Sequence, residues 1–239
     1  MKSIGIAAAA LAFAGAATAF AQTEAQSQRG GVSDMDMLKA PVRAPRQAFE
    51  LGVATGYTQG FGNVYPGRPV GDVANAGVTA GIGLGYRVSP GFSIGATGQY
   101  QGYNASNVLP RGTTTRGAAA GVEGTFHLAP YDRVDPYVSV GAGYRMLWER
   151  PEGDAPSTLT HGFELGKVQV GLDLRASEGV AISPVIGADV NMFMWRAGEG
   201  AEPTALSRRG LSTFVFAGLE GRFDLGGARE LKPEQVGSR

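Results

Sequence analysis

His127 and His161 are the only imidazoles in the chain, and the groups around them limit the catalysis it could support. Glu123 and His127 share one face of an alternating segment. They are two residues of metal-ligand type, whereas a zinc site needs three or four converging ligands. His127 is therefore expected to be structural, and no metal or other cofactor is expected. His161 lies near Ser157 and Glu164, the residue types of a nucleophile, a base and an orienting acid. Gly81-x-Gly83-x-Gly85 has the glycine spacing of a dinucleotide loop. That motif needs a helix whose N-terminus holds the phosphate. Here the alternation continues through the glycines and ends at Ser89-Pro90-Gly91, which excludes it. There is no cysteine, so thiolate metal sites, disulfides and a lipid-modified cysteine are all excluded.

A second set of charges is larger and more regular. Glu50, Glu123, Asp173, Asp189, Glu220 and Asp224 recur on the face that also carries the small residues. Arg87, Arg145, Lys167, Arg175 and Arg222 share that face, with His127 beside them. Six acids and five bases in a narrow interior are tolerable only when paired. One chemistry they could perform is structural, an ion-pair network that fills and stiffens the interior. The other is selectivity in a narrow or gated pore for small solutes or ions.

The elements that must position these residues are strands. In Asn75–Val88 the even positions, from Ala76 to Val88, are apolar or aromatic, and the odd ones are small or polar. A period of two held that long describes a strand with different surroundings on its two faces. Strands of soluble proteins usually run about 5–6 residues, whereas a bilayer-spanning strand needs about 9–11. The pattern recurs in Ala48–Thr58, Phe92–Tyr103, Thr115–Leu128, Pro136–Trp148, Thr160–Ala176, Val180–Trp195 and Leu211–Leu225. In Thr160–Ala176, Phe163 and Leu165 are out of phase with Val168, Val170, Leu172 and Leu174. A β-bulge near Gly166 restores the phase, or else the upper part stands above the lipid.

Long connections (Phe61–Val73, Asn104–Thr114, Glu149–Leu159, Arg196–Gly210) alternate with short ones at Ser89–Gly91, Ala129–Asp135 and Ser177–Gly179. The expectation is an all-β fold, an eight-stranded antiparallel up-and-down transmembrane β-barrel over 48–225, with bulky residues outside and small or charged ones inside. Phe49 and Tyr57, eight residues apart, are separated by about 26 Å along an extended strand. With the strand tilt this suits an apolar band bounded by aromatics. Tyr86, Phe92, Tyr100, Phe126, Tyr144, Trp148 and Phe223 complete the expected membrane-interface set.

Formal charge is zero, which gives no attraction to nucleic acid, and the 38 glycines suit a crowded barrel interior. Residues 1–21 read as a cleavable signal peptide: Lys2, the apolar Ile4–Ala17, then Ala19-Phe20-Ala21. Residues 22–47 are expected to be a flexible periplasmic arm and 226–239 a periplasmic tail.

The segment Asp135–Tyr144, D-P-Y-V-S-V-G-A-G-Y, and the pattern over Ala48–Leu225 resemble the small eight-stranded outer-membrane barrels, those like the transmembrane domain of outer-membrane protein A and the opacity-type surface proteins. The resemblance implies a Gram-negative cell outer membrane and contact with outer-membrane lipid and lipopolysaccharide. It also implies insertion by the outer-membrane assembly machinery, with Phe223 as the terminal aromatic of the last strand. Any extracellular ligand would be read by the four long loops. The implied function is structural or surface-interacting and non-enzymatic. His161 with its neighbours also resembles the outer-membrane lipid A deacylases, but their serine follows the histidine by two, and Phe163 stands there. A lipid-modifying hydrolase is thus disfavoured.

Overall fold

The computed structural model describes residues 42–104, 108–110, 112–153 and 155–232. The expected signal peptide, nearly all of the expected arm and the end of the tail lie outside the described residues. Eight long strands form the wall: β2 (Ala48–Tyr65), β4 (Gly77–Ser89), β5 (Phe92–Tyr103), β6 (Thr114–His127), β7 (Val134–Arg150), β8 (Thr158–Ser177), β9 (Val180–Gly198) and β11 (Leu211–Leu225). Each pairs antiparallel with the next, and β11 pairs with β2 from Leu225↔Phe49 to Ser212↔Gly62, which closes the barrel. The all-β, eight-stranded antiparallel barrel read from the alternation is the observed fold.

The distribution of side chains is inside-out. Val53, Val78, Ile82, Leu84, Val122, Val140 and Ile186 point away from the barrel and are exposed, whereas Arg87, Arg145, Asp135, Ser183, Asp189 and Asn191 are fully buried. Glycine makes the narrow interior possible by yielding space to larger neighbours. A Cβ at Gly171 would lie 2.3 Å from the Tyr137 ring, and one at Gly187 would lie 2.4 Å from that of Phe216.

The β8 bulge is present. The register against β9 shifts between Glu164 and Gly166, so Phe163 and Leu165 above it and Val168 and Val170 below it all face outward.

Several boundaries differ from the sequence reading. β2 continues to Tyr65, through much of the expected loop Phe61–Val73, because its backbone goes on pairing with β11 as far as Gly62. The rest of that loop turns back as β3 (Arg68–Pro69) and the helical turn α1 (Val70–Val73). Val70 and Val73 pack with Val64, Tyr103, Leu147, Phe193 and Phe214, an apolar cap across the long-loop end of the lumen. Within the expected loop Arg196–Gly210, β10 (Thr204–Ala205) pairs with the end of β9. At the opposite end, β1 (Ala44–Arg46) pairs with β12 (Ala228–Glu230), joining the expected arm to the expected tail. Arg46 donates to Glu230 at 2.6 Å, and Ala44 is fully buried. Val42 donates its amide to the carbonyl of Tyr131. The end of the arm is thus tied to the barrel by backbone pairing, which its mixed composition does not signal.

Candidate functional site

The lumen residues come from every strand of the wall, placed there by the period-two rule. They form three levels between the short-turn end and the apolar cap.

At the lowest level three arginines interleave with carboxylates. Arg87 donates to Glu50 at 2.8 Å and lies 3.6 Å from Asp224. Arg175 spans Asp135 (3.3 Å) and Asp224 (3.6 Å). Arg222 lies 3.2 Å from Glu220 and 3.7 Å from both Glu50 and Asp173, with its guanidinium 3.9 Å above the Tyr137 ring. His127 sits among them, its Nδ1 2.8 Å from Asp135 and its Nε2 3.4 Å from Arg222. Since arginine can only donate, Nε2 accepts, and the imidazole is neutral with its proton on Nδ1 facing Asp135. Ser183 donates to Asp173.

At mid-height, Lys167 pairs with Glu123 at 3.0 Å. Gln169 donates to Glu220 at 3.2 Å, and Tyr137 donates to the same carboxylate at 3.3 Å. A cavity of about 60 Å³ lies beside this level, walled by the glycines of β4 and β5 and bordered by Glu50, Glu123, Lys167, Gln169 and Glu220. It has room for a few water molecules.

The upper level is centred on Arg145. Its guanidinium donates to Asp189 at 2.8 Å, to Asn191 at 3.0 Å and to Gln101 at 3.2 Å. Glu164 lies 3.5 Å away, and the Phe214 ring of the cap stacks at 4.2 Å. Each of its three nitrogens has a polar partner and its face has an aromatic ring, which offsets the cost of burying it.

The twelve residues picked out in the sequence, eleven charged and one imidazole, lie on the inner face: Glu50, Arg87, Glu123, His127, Arg145, Lys167, Asp173, Arg175, Asp189, Glu220, Arg222 and Asp224. Two carboxylates and one phenol join them that the sequence does not assign to the lumen. The sequence puts Asp135 in the connection Ala129–Asp135, but β7 begins at Val134. Glu164 is turned inward by the bulge, and Tyr137 faces in on the alternation of β7. The parity of Asp135 and Tyr137 with Ser139 and Arg145 was the available signal.

Among the described residues, one group has the spacing to hold a metal ion: His127, Asp135 and Asp173, whose ligand atoms lie within 4.8 Å of one another. Its imidazole is occupied on both nitrogens, and Arg175 and Arg222 already neutralise its carboxylates. The residues present fit an ion-pair network and do not fit a cation.

The hydrolase residues are not assembled. Glu164 lies in the lumen with Arg145, His161 lies on the outer surface bonded to Tyr144 and stacked on Trp195, and Ser157 donates to Glu199. Phe49, Tyr57, Tyr86, Tyr100, Phe126 and Phe223 point outward and are exposed; Phe92, Tyr144 and Trp148 are half-buried. Phe49 meets Tyr86 edge-on at 5.5 Å, and Phe92 meets Phe126 at 5.0 Å.

No family model and no curated protein matches this chain. Solved structures do. Neisserial surface protein A is 13% identical, over 72% of this chain and 95% of its own, with a TM-score of 0.47. The outer membrane protein OprG from Pseudomonas aeruginosa is 8% identical, over 76% and 98%, with a TM-score of 0.46. The outer membrane protein AlkL, solved in lipid bilayers, is 15% identical, over 80% and 97%, with a TM-score of 0.47. The chain is a closed eight-stranded antiparallel β-barrel, similar to these small outer-membrane barrels.

Proposed function

We propose that this chain is an outer-membrane protein with a structural or surface-interaction role, a rigid barrel whose filled lumen holds its shape while four outer connections meet the cell's surroundings. The observation that carries the reading is the reversal of polarity: an apolar outer wall around an interior of paired charges. Water on both sides would make that wall costly, and lipid outside removes the cost. Phe49, Tyr86, Phe92, Phe126 and Phe223 then form a girdle near the short-turn side, and Tyr57, Tyr100, Tyr144 and Trp148 form one near the other side. Outer-membrane lipid and lipopolysaccharide surround the belt, and the assembly machinery inserts it after a cleaved signal peptide has directed export. Recognition belongs to the connections at the long-loop end, since binding residues concentrate on loops held by a rigid scaffold.

The filled lumen favours a closed scaffold over a conducting pore. An ion would have to displace the Arg145–Asp189 pair and then the cap of Val70, Val73 and Phe214. In a planar bilayer, the refolded full chain is expected to be electrically silent, with an Arg145→Ala variant recorded alongside. Discrete openings in the unmodified protein that change in size or ion selectivity in the variant would establish the pore and make the lumen charges its filter.

A further inference from the structure

The outer wall carries a second built feature, outside the lumen. At the long-loop end of β5, β6 and β7 a surface hollow of about 230 Å³ is lined by Tyr100, Thr114, Arg116, Trp148, Arg150 and Ser157. Strand pairing sets its geometry. Arg116 stands directly opposite Trp148, and Thr114 opposite Arg150, so the two arginines are diagonal neighbours on one face. Diagonal positions are about 7–8 Å apart at the backbone, close enough for two long side chains to converge on one anionic group. On the other side of Arg116 the paired residue is Gly102, where a Cβ would meet nothing within 4 Å. Gly102 thus sets no side chain beside Arg116.

Both arginines are exposed, and among the described residues neither has a carboxylate within ion-pair distance. The charge of Arg150 is felt by Glu199. Its carboxylate already accepts from the amide and hydroxyl of Ser157, at 3.1 and 2.8 Å, and those bonds hold it below the usual carboxylate range. Among the described residues these two neighbouring guanidiniums have no ion-pair partner and are open to one from outside. Below them the outward face changes character: Tyr100 and Ala118, then Gly98 and Ala120, then Ala96 and Val122 follow as pairs or near neighbours on β5 and β6. Most of these outward positions carry small side chains, so the wall stands lower along this strip of the apolar belt below the hollow.

We infer that this hollow binds a phosphorylated glycolipid of the outer leaflet, its phosphate between Arg116 and Arg150, its sugar against Trp148 and Tyr100, and an acyl chain along the strip of Gly98, Ala118 and Ala120. The inference rests on the membrane reading proposed above and names a lipid for it. Charge complementarity selects an anion, because guanidinium forks match phosphate oxygens. The apolar strip selects an amphiphile over a free anion. The aromatic pair beside the arginines suits the apolar face of a sugar ring at the depth where such rings settle.

The test uses the full chain refolded in detergent, with a bisphosphorylated, acylated diglucosamine as probe and binding read by native mass spectrometry. Its dephosphorylated form and inorganic phosphate serve as comparison probes. The unmodified protein is expected to retain the phosphorylated glycolipid, to bind the dephosphorylated form far less, and to lose nothing to millimolar phosphate. Arg116→Ala and Arg150→Ala should each weaken binding by roughly tenfold, as loss of a charge-assisted contact does. Arg208→Ala with Arg209→Ala, a basic pair elsewhere on the outer loops, should leave it unchanged. Equal binding by the Arg116→Ala/Arg150→Ala protein, or equal retention of the dephosphorylated probe, overturns the site. Displacement by phosphate overturns the lipid as its occupant. Heat-modifiable migration and protease protection in vesicles, measured on the same preparations, separate the two levels. A protein that fails to insert overturns the membrane reading together with the site, whereas one that inserts and binds indifferently overturns the site alone.

Discussion

Arg145 shows at single-residue scale how the lumen is built. Its guanidinium joins β7 to Asp189 and Asn191 of β9, to Gln101 of β5 and to the ring of Phe214 on β11. Removing it leaves Asp189 and Glu164 together in a buried space, with Lys167, already paired with Glu123, as the remaining nearby cation. Arg145→Ala is therefore expected to destabilise the folded barrel by about 3–5 kcal/mol, the range for breaking a buried pair from one side. Urea titrations in detergent micelles, followed by tryptophan fluorescence, would measure it. Restoring neutrality with Asp189→Asn on the Arg145→Ala background should recover part of that loss; no recovery would mean that packing under Phe214, and not charge, sets the stability. This level was partly legible in the sequence. Period-two parity put Arg145 and Asp189 on the inner face, but parity carries no information on which acid meets which base across the lumen. Glu164 escaped because a bulge reverses parity; Phe214 and Phe216 share the inner parity of Glu220 and Arg222, but an interior expected to hold small or charged residues gave no reason to place two bulky rings there.

At the scale of elements, the bulge in β8 keeps two apolar runs on the same outer face. Phe163 and Leu165 lie above it, and Val168 and Val170 below. Gly166 itself has open space where a Cβ would stand and no left-handed backbone angle. Gly166→Ala should accordingly fold with unchanged yield. Deleting Gly166 forces one run inward against Arg145 or Lys167, and a sharp drop in the heat-modifiable folded fraction on gels is the expected result. A deletion variant that folded normally would mean that β8 slips without cost. The sequence signalled this element because its phase error was visible. The extra turns of β2, the α1 cap and the β1–β12 ribbon were not, for a shared reason. Outside the apolar belt both faces of a strand meet polar surroundings, the alternation fades, and only backbone pairing continues. Gly62 and Gly67, both at positive φ, shape the turn that brings α1 back over the lumen, yet in the sequence they looked like any glycines of a loop.

For the whole molecule, eight long strands with short turns at one end and long connections at the other were enough to fix topology, strand order and the inside-out arrangement, because all three follow from repeated parity. What the hollow near Arg116 and the capped lumen contribute depends on contacts between strands far apart in the chain, which no local pattern encodes. The central claim is that the outer wall faces lipid. Since the chain has no cysteine, a single Val140→Cys protein can carry one nitroxide label on that wall, and collision rates can be read in phospholipid vesicles. The account predicts frequent encounters with oxygen dissolved in the bilayer and rare ones with a water-soluble nickel chelate. The reverse ratio, in a protein shown to be folded, would place Val140 in water and contradict it.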